Sequence, residues 1–132
     1  MGICYRNGMV TVDRVVHASP AAVWSVLVDI EAWPKWGPTV AGAELLDGTE
    51  LALGERGKVY TPVGLPLPFT ITKFEPRRCW AWQVAGVPAT SHCVEPVESG
   101  TRVSMAAPVW ATAYVPVLAV ALQRIDRMTS GG

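Results

Sequence analysis

The stretch Pro108–Met128, PVWATAYVPVLAVALQRIDRM, decides the fold. Apolar side chains recur in it at every third or fourth position, which predicts one long amphipathic helix. Pro116 is expected to bend this helix, because a proline removes a backbone hydrogen bond. Gly131 and Gly132 are expected to end it. The predicted apolar stripe consists of Trp110, Tyr114, Leu118, Leu122 and Ile125.

Strand-like segments precede this helix and supply the apolar surface that it needs. They alternate apolar and polar residues. From Val40 onwards turn residues separate them without intervening helices, which indicates antiparallel neighbours. The predicted strands are Met9–Ala18, Val40–Leu46, Gly57–Val63, Phe69–Glu75, Cys79–Ala85, Ala89–Val97 and Thr101–Ala107.

Two short helices are predicted between the first and second strands. Ser19 and Pro20 suit the N-cap and first position of a helix that continues to about Ala32, and a second short helix is predicted around Ile30–Trp36. The fold class is therefore α+β: one curved antiparallel sheet with a long C-terminal helix across its concave face. Residues 1–8 are interpreted as a loose extension, and residues 9–130 as a single domain.

Composition excludes several function classes. The 132 residues carry 11 basic and 11 acidic side chains, without a basic stripe, so nucleic acid is not expected as a partner. The uncharged run Val103–Leu122 is long enough to span a bilayer, but its prolines and initial alternation favour a core helix. Three cysteines, Cys4, Cys79 and Cys93, make no disulfide framework and no metal cluster, which suits a cytoplasmic protein.

The segments Ala18–Trp24 (ASPAAVW) and Asp29–Trp36 (DIEAWPKW) resemble the opening of the SRPBCC superfamily. This is the START and Bet v 1-like helix-grip fold, which includes the polyketide cyclase/dehydrase-like proteins of bacteria. Phe74–Pro76, Trp80–Trp82 and His92–Glu95 also fall where its members carry similar segments. The resemblance covers about Met9–Met128 and implies a cavity between the sheet and the long helix. It specifies a fold and no single chemistry.

The residues and the resemblance together predict a site for a small hydrophobic molecule such as a lipid, a polyketide or an aromatic metabolite. Trp82 is expected to lie opposite His92, with Gly86–Pro88 as the turn. Aromatic walls can stack on a planar ligand. The predicted pocket residues are Trp33, Trp36, Tyr60, Trp80, Trp82, His92, Met105, Trp110, Tyr114 and Leu118.

Two other functions remain open at this point. The first is a cyclase or dehydratase that uses His92 as its acid/base group, because the ordinary pKa of histidine lies near neutrality. The simpler interpretation of His92 is a half-buried residue whose hydrogen bonds a neighbour satisfies, and His17 is expected at the surface. The second is a non-catalytic module that dimerises through an apolar surface. No nucleotide, metal or haem motif is visible, so no cofactor is expected, and the protein is expected to be a monomer or a homodimer.

Overall fold

The computed structural model describes residues 2–130 and has eight strands in one antiparallel sheet. The spatial order is β1-β2-β8-β7-β6-β5-β4-β3. The predicted α+β architecture with a curved sheet is confirmed, and most strand boundaries differ by a few residues from the predicted ones. The strands are β1 Gly2–Arg6, β2 Met9–Val16, β3 Gly42–Leu45, β4 Arg56–Tyr60, β5 Pro66–Glu75, β6 Cys79–Val84, β7 Val87–Val97 and β8 Gly100–Pro108.

The first strand replaces most of the loose extension that the sequence predicts for residues 1–8. Gly2–Arg6 pairs with β2 through a two-residue turn at Asn7 and Gly8. Both turn residues have positive φ values, 52° and 74°. An Asn-Gly pair suits this hairpin geometry, because both residues tolerate that conformation. The Asn7-Gly8 pair was therefore a usable signal for this hairpin in the sequence. Met1 lies outside the described residues.

Two short helices follow β2, as predicted. Helix α1, Pro20–Val28, begins at the expected cap, where the Ala22 N–H donates to Ser19 Oγ over 3.1 Å. It ends four residues before the predicted Ala32, and the second short helix, α2, is Trp33–Trp36.

The C-terminal helix begins later than predicted. Val109–Tyr114 forms a 3₁₀ segment, and the α-helix α3 runs from Val115 to Ser130. Pro116 lies in the first turn of α3, where its missing N–H costs nothing, so the predicted bend at a mid-helix proline is wrong. The same missing N–H prevents the α-helical bond to Thr112 that would extend the helix backwards. The predicted stop at Gly131 and Gly132 lies outside the described residues.

Helix α3 packs on β2, α1 and α2 and buries the centre of the predicted stripe. An ion pair fixes its polar side, because Arg14 Nε on β2 donates to Asp126 Oδ2 over 2.7 Å. Hydrogen bonds from Ser130 and Arg14 hold the pKa of Asp126 below its ordinary value. The side chains that α3 buries are Leu118, Ala121, Leu122 and Ile125.

A covalent bond joins two central strands on the other face of the sheet. Cys79 on β6 lies directly opposite Cys93 on β7, and the two form a disulfide with an S–S distance of 2.10 Å. This bond corrects the expectation, made from the cysteine count, that the three cysteines make no disulfide framework, because only the strand register brings Cys79 and Cys93 together. Disulfides are rare in the cytosol, so this bond weighs against a cytoplasmic location, which stays a prediction. In residues 2–130, no helix is both long and apolar enough to cross a bilayer.

Candidate functional site

Four aromatic rings form the centre of the concave face. Trp33 of α2 stacks on Trp80 of β6 with their centroids 5.1 Å apart, and it also contacts Phe69 of β5 at 5.8 Å. Trp82 completes the group through edge contacts with Trp33, Phe69 and Trp80. Gly57 makes room for this cluster, because a Cβ atom there would lie 2.6 Å from the Phe69 ring. These four rings are the aromatic cluster.

A small void of about 40 Å³ lies beside the aromatic cluster, and we call it the inner cavity. Helices α2 and α3 cover it, and strands β6–β8 form its floor. Its lining includes predicted pocket residues from six different elements, so the structure brings them together. These residues are Trp33, Trp36, Trp80, Trp82, His92, Met105, Tyr114 and Leu118.

A larger void of about 300 Å³ lies under the 3₁₀ segment, and we call it the outer cavity. Trp110, which is 70% exposed, and the exposed Pro88 belong to its lining, so it opens to the surface. In the described part of the chain, no charged side chain lines either cavity. The lining of the outer cavity includes Val59, Leu67, Trp82, Val84, Pro88, Ala89, Thr90, Ala107, Trp110, Ala111 and Tyr114.

The two cavities adjoin, because five residues line both of them. The phenol oxygen of Tyr114 and Thr39 Oγ1 share a hydrogen bond at this junction. This bond joins the end of the 3₁₀ segment to the loop after α2. The shared residues are Thr39, Val40, Trp82, Thr90 and Tyr114.

A chain of hydrogen bonds crosses the wall of the inner cavity. Trp82 Nε1–H donates to Thr90 Oγ1 over 3.0 Å, and Thr90 Oγ1 lies 3.0 Å from His92 Nε2. His92 Nδ1 lies 3.4 Å from the Trp80 carbonyl oxygen, which can only accept. Nδ1 therefore carries the proton, and Nε2 accepts the hydrogen bond that the Thr90 hydroxyl donates.

His92 is neutral in this environment. It is 3% exposed and stacks on Trp80 with their centroids 4.0 Å apart. Burial lowers the pKa of His92 to about 3, because the charged form loses its hydration. Both ring nitrogens have hydrogen-bond partners. This agrees with the simpler interpretation made from the sequence, a histidine whose hydrogen bonds are satisfied by its neighbours. Thr90 is a hydroxyl within reach, as an acid/base role requires, but an imidazole with this pKa is a weak base near neutral pH.

One polar atom in this wall lacks a partner. Within residues 2–130, Trp80 Nε1 is buried and makes no hydrogen bond. The neighbouring indoles differ from Trp80 in this respect. Trp33 Nε1 donates to the Leu27 carbonyl over 2.9 Å, and Trp36 Nε1 donates to the Val26 carbonyl over 3.2 Å.

Two details of the predicted site need correction. Tyr60 lines neither cavity in the described structure: Gly57 and Val59 take the inward positions of β4, so Tyr60 points away and donates to Glu44 Oε1 over 2.8 Å. Trp80, not Trp82, lies opposite His92.

The second error arises from the turn between β6 and β7. This turn is at Ala85 and Gly86, which have positive φ values of 53° and 79°. The pairing then shifts between Ala81 and Gln83, and a shift of this kind cannot be read from alternation alone. His17 is exposed, as predicted.

Thr90 is a hydrogen-bonding residue of the candidate site that the sequence analysis missed. It lies two residues before His92 on the same strand, so period-two alternation places both on one face. That spacing was a usable signal. Thr39 and Thr61 are two further hydroxyl residues of the lining that the sequence analysis missed. Most of the other missed lining residues are small or aliphatic and carry no chemical signal, among them Val40, Val59, Leu67, Val84, Ala89 and Ala107.

Comparison with known proteins gives the family. The pattern described as polyketide cyclase/dehydrase and lipid transport matches residues 8–126. The chain belongs to this family. The resemblance to SRPBCC proteins that the sequence suggested is thereby confirmed.

Solved structures share the fold at low sequence identity. XoxI from Bacillus cereus is 17% identical, with a TM-score of 0.71 over 92% of this chain and 95% of that one. A Rhodobacter sphaeroides protein is 20% identical, with a TM-score of 0.67 over 96% and 97% of the two chains. Protein Ms6760 from Mycobacterium smegmatis is 16% identical, with a TM-score of 0.68 over 97% and 96%. At these identities the likeness concerns the fold alone. No curated protein matches this chain significantly in sequence.

Proposed function

We propose that this family member binds a small hydrophobic molecule in the joined inner and outer cavities. The observation that carries the proposal is the uncharged lining of the outer cavity, a void of about 300 Å³ next to a packed aromatic cluster. This volume is at the lower end of the range of small-molecule sites. An apolar ligand there removes its own surface and that of the wall from water, which is favourable by roughly 25 cal/mol per Å².

Another concave region of the molecule is a poorer candidate. A groove of about 630 Å³ lies between α1 and Phe74 on β5. Its rim carries Asp29, Glu31 and Glu50, all exposed to solvent. Charged, hydrated side chains suit a surface depression better than an apolar binding site.

A pair of matched variants tests the proposal. Ala107 and Ala106 are neighbours on β8, but Ala107 is buried at the outer cavity, whereas Ala106 alternates to the other face. Ala107→Leu places a larger apolar side chain in the cavity, and Ala106→Leu leaves the cavity unchanged. The probe is N-phenyl-1-naphthylamine, an uncharged dye whose fluorescence rises in apolar sites.

We expect Ala107→Leu to weaken dye binding at least tenfold and Ala106→Leu to retain the wild-type Kd. Native mass spectrometry of the protein purified from cells supplies an independent measurement, because a retained ligand adds mass that denaturation removes. If the wild type neither binds the dye nor retains a ligand, or if both leucine variants bind like the wild type, the proposal fails.

The acid/base alternative is weaker because His92 is uncharged, buried and fully hydrogen-bonded. The dimer alternative has one feature in its favour: Val63, Leu65, Val87, Val109 and Trp110 are exposed apolar residues. An open cavity is not what a packed interaction module needs. The oligomeric state in the same native spectra separates this alternative from a ligand-binding monomer.

A further inference from the structure

The most informative polar atom beside the inner cavity is the unpartnered indole N–H of Trp80. Trp80 lines this cavity and is only 1% exposed. A buried donor without a partner is costly, because it has lost its hydrogen bonds to water and gained none, so such groups are rare in folded proteins. Trp33, Trp36 and Trp82, the other indoles of the same wall, all donate to protein acceptors.

Trp80 cannot easily turn to find an acceptor elsewhere. Its ring is nearly parallel to that of Trp33, with an interplanar angle of 13° and a centroid distance of 5.1 Å. It is also stacked on His92 at 25° and 4.0 Å. Rotation would break both stacking contacts. The donor is therefore held in place before any ligand arrives.

Thr90, on the neighbouring strand β7, offers the complementary function on the same wall. Its hydroxyl proton is committed to His92 Nε2, and one lone pair accepts from Trp82 Nε1. A hydroxyl oxygen has two lone pairs, so one acceptor position is free. Thr90 lines both cavities, and Trp80 lines the inner one. Trp80 Nε1 therefore offers a free donor and Thr90 Oγ1 a free acceptor position on this wall.

The charge of the wall restricts the polar group that fits there. No Lys or Arg from residues 2–130 lines either cavity, and His92 remains neutral near pH 7. A carboxylate or phosphate entering the inner cavity would lose its hydration without gaining a cation, which is strongly unfavourable. A neutral hydroxyl group can accept from one partner and donate to another, as this wall requires.

We infer that the ligand is an apolar molecule with a neutral hydroxyl group, an alcohol or a phenol, and that this group enters the inner cavity first. Trp80 Nε1–H donates to the ligand oxygen, and the ligand hydroxyl donates to Thr90 Oγ1. The apolar body fills the outer cavity. The inference rests on the proposed function and adds the chemical class and orientation of the ligand. The inner void of about 40 Å³ admits a group of this size and excludes the body of the molecule.

Three probes that share one ring system test the inference. Naphthalene has no polar group, 2-naphthol adds a neutral hydroxyl, and 2-naphthoate adds a charge. Dissociation constants are measured by calorimetry at pH 7 for the wild type, Trp80→Phe and Trp24→Phe. Trp24 is the matched control, since it packs against Phe74 at 5.8 Å and lines neither cavity.

We expect the wild type to bind 2-naphthol about tenfold more tightly than naphthalene, which corresponds to about 1.4 kcal/mol, and 2-naphthoate most weakly. Trp80→Phe should remove the preference for 2-naphthol and leave naphthalene binding within twofold. Trp24→Phe should keep the wild-type pattern.

A second measurement needs no variant to fold. In ¹⁵N-labelled wild type, 2-naphthol should shift one indole N–H signal strongly downfield, and naphthalene should not. Equal binding of naphthalene and 2-naphthol, or a preference that survives in Trp80→Phe, overturns the inference and leaves the proposed function intact. Failure of all three probes and of the dye removes the proposed function, and the inference with it.

Discussion

The inner and the outer cavity lie on the same sheet, but side chains fill the space above the sheet to different extents. Around the inner cavity, α2 and α3 cover the sheet with Trp33, Trp36 and Leu118, and little free volume remains. Around the outer cavity, the 3₁₀ segment and the loop after α2 cover the sheet, and Ala89, Ala107 and Ala111 leave a void several times larger. The comparison teaches that cover and side-chain size decide where this sheet is packed and where it is hollow.

The largest expected effect comes from breaking the packed region at Gly57. A Cβ atom at this position would lie 2.2 Å from the Glu44 carbonyl oxygen and 2.6 Å from the Phe69 ring. Gly57→Ala should therefore lower the free energy of unfolding by about 3 kcal/mol, at the upper end of overpacking effects. Urea denaturation measures this value. Gly42→Ala on the adjacent strand is the control, because its Cβ would meet only Tyr60 at 3.8 Å. Equal stability of the two variants would contradict the tight packing around Phe69.

The next effect, measured for each pH unit, concerns His92 in the wall of the inner cavity. Its folded pKa of about 3 lies below the ordinary 6.5, so the unfolded chain binds more protons between these values. Stability should therefore fall as the pH decreases from 6.5 towards 3, by up to about 1.4 kcal/mol per pH unit from this group.

His92→Gln removes that contribution and should flatten the pH dependence of the free energy of unfolding between pH 7 and pH 4. His17→Gln removes the exposed histidine and serves as the control. An unchanged slope in His92→Gln would show that His92 is not held neutral in the folded state.

The smallest expected effect is at the junction between the two cavities. Tyr114→Phe removes the hydrogen bond to Thr39 and should lower stability by about 0.5–1 kcal/mol, the usual range for one such bond. The double variant with Thr39→Val should be no less stable than the less stable of the two single variants, because each substitution breaks the same bond. Fully additive losses would mean that the two side chains do not interact.

The sequence predicted elements whose signal is local. The alternation of Thr101, Val103, Met105 and Ala107 on β8 reappears as a buried face, and the Ser19 cap starts α1 as expected. The stripe of α3 is likewise correct at Leu118, Leu122 and Ile125. In each case, one period or one cap residue determines the outcome without reference to distant parts of the chain.

The site was less predictable because it depends on pairing between strands. One shift in the pairing of β6 with β7, next to Ala81, puts Trp80 opposite His92 and brings Trp82 within hydrogen-bond distance of Thr90. The same register sets Cys79 against Cys93. Alternation fixes which face a residue occupies, but not its partner on the next strand. The partner of a side chain, and the absence of one for Trp80 Nε1, could be found only once the register was known.

The 3₁₀ segment Val109–Tyr114 also has a consequence for time scales. It forms one wall of the outer cavity, yet none of its six residues is buried. Segments with few buried contacts open at a small fraction of the global unfolding free energy. A ligand of the outer cavity should therefore enter and leave through this segment while the aromatic cluster stays packed. The opening rate of this six-residue segment would then determine how long a ligand stays bound. The contacts with the sheet beneath it would determine the affinity.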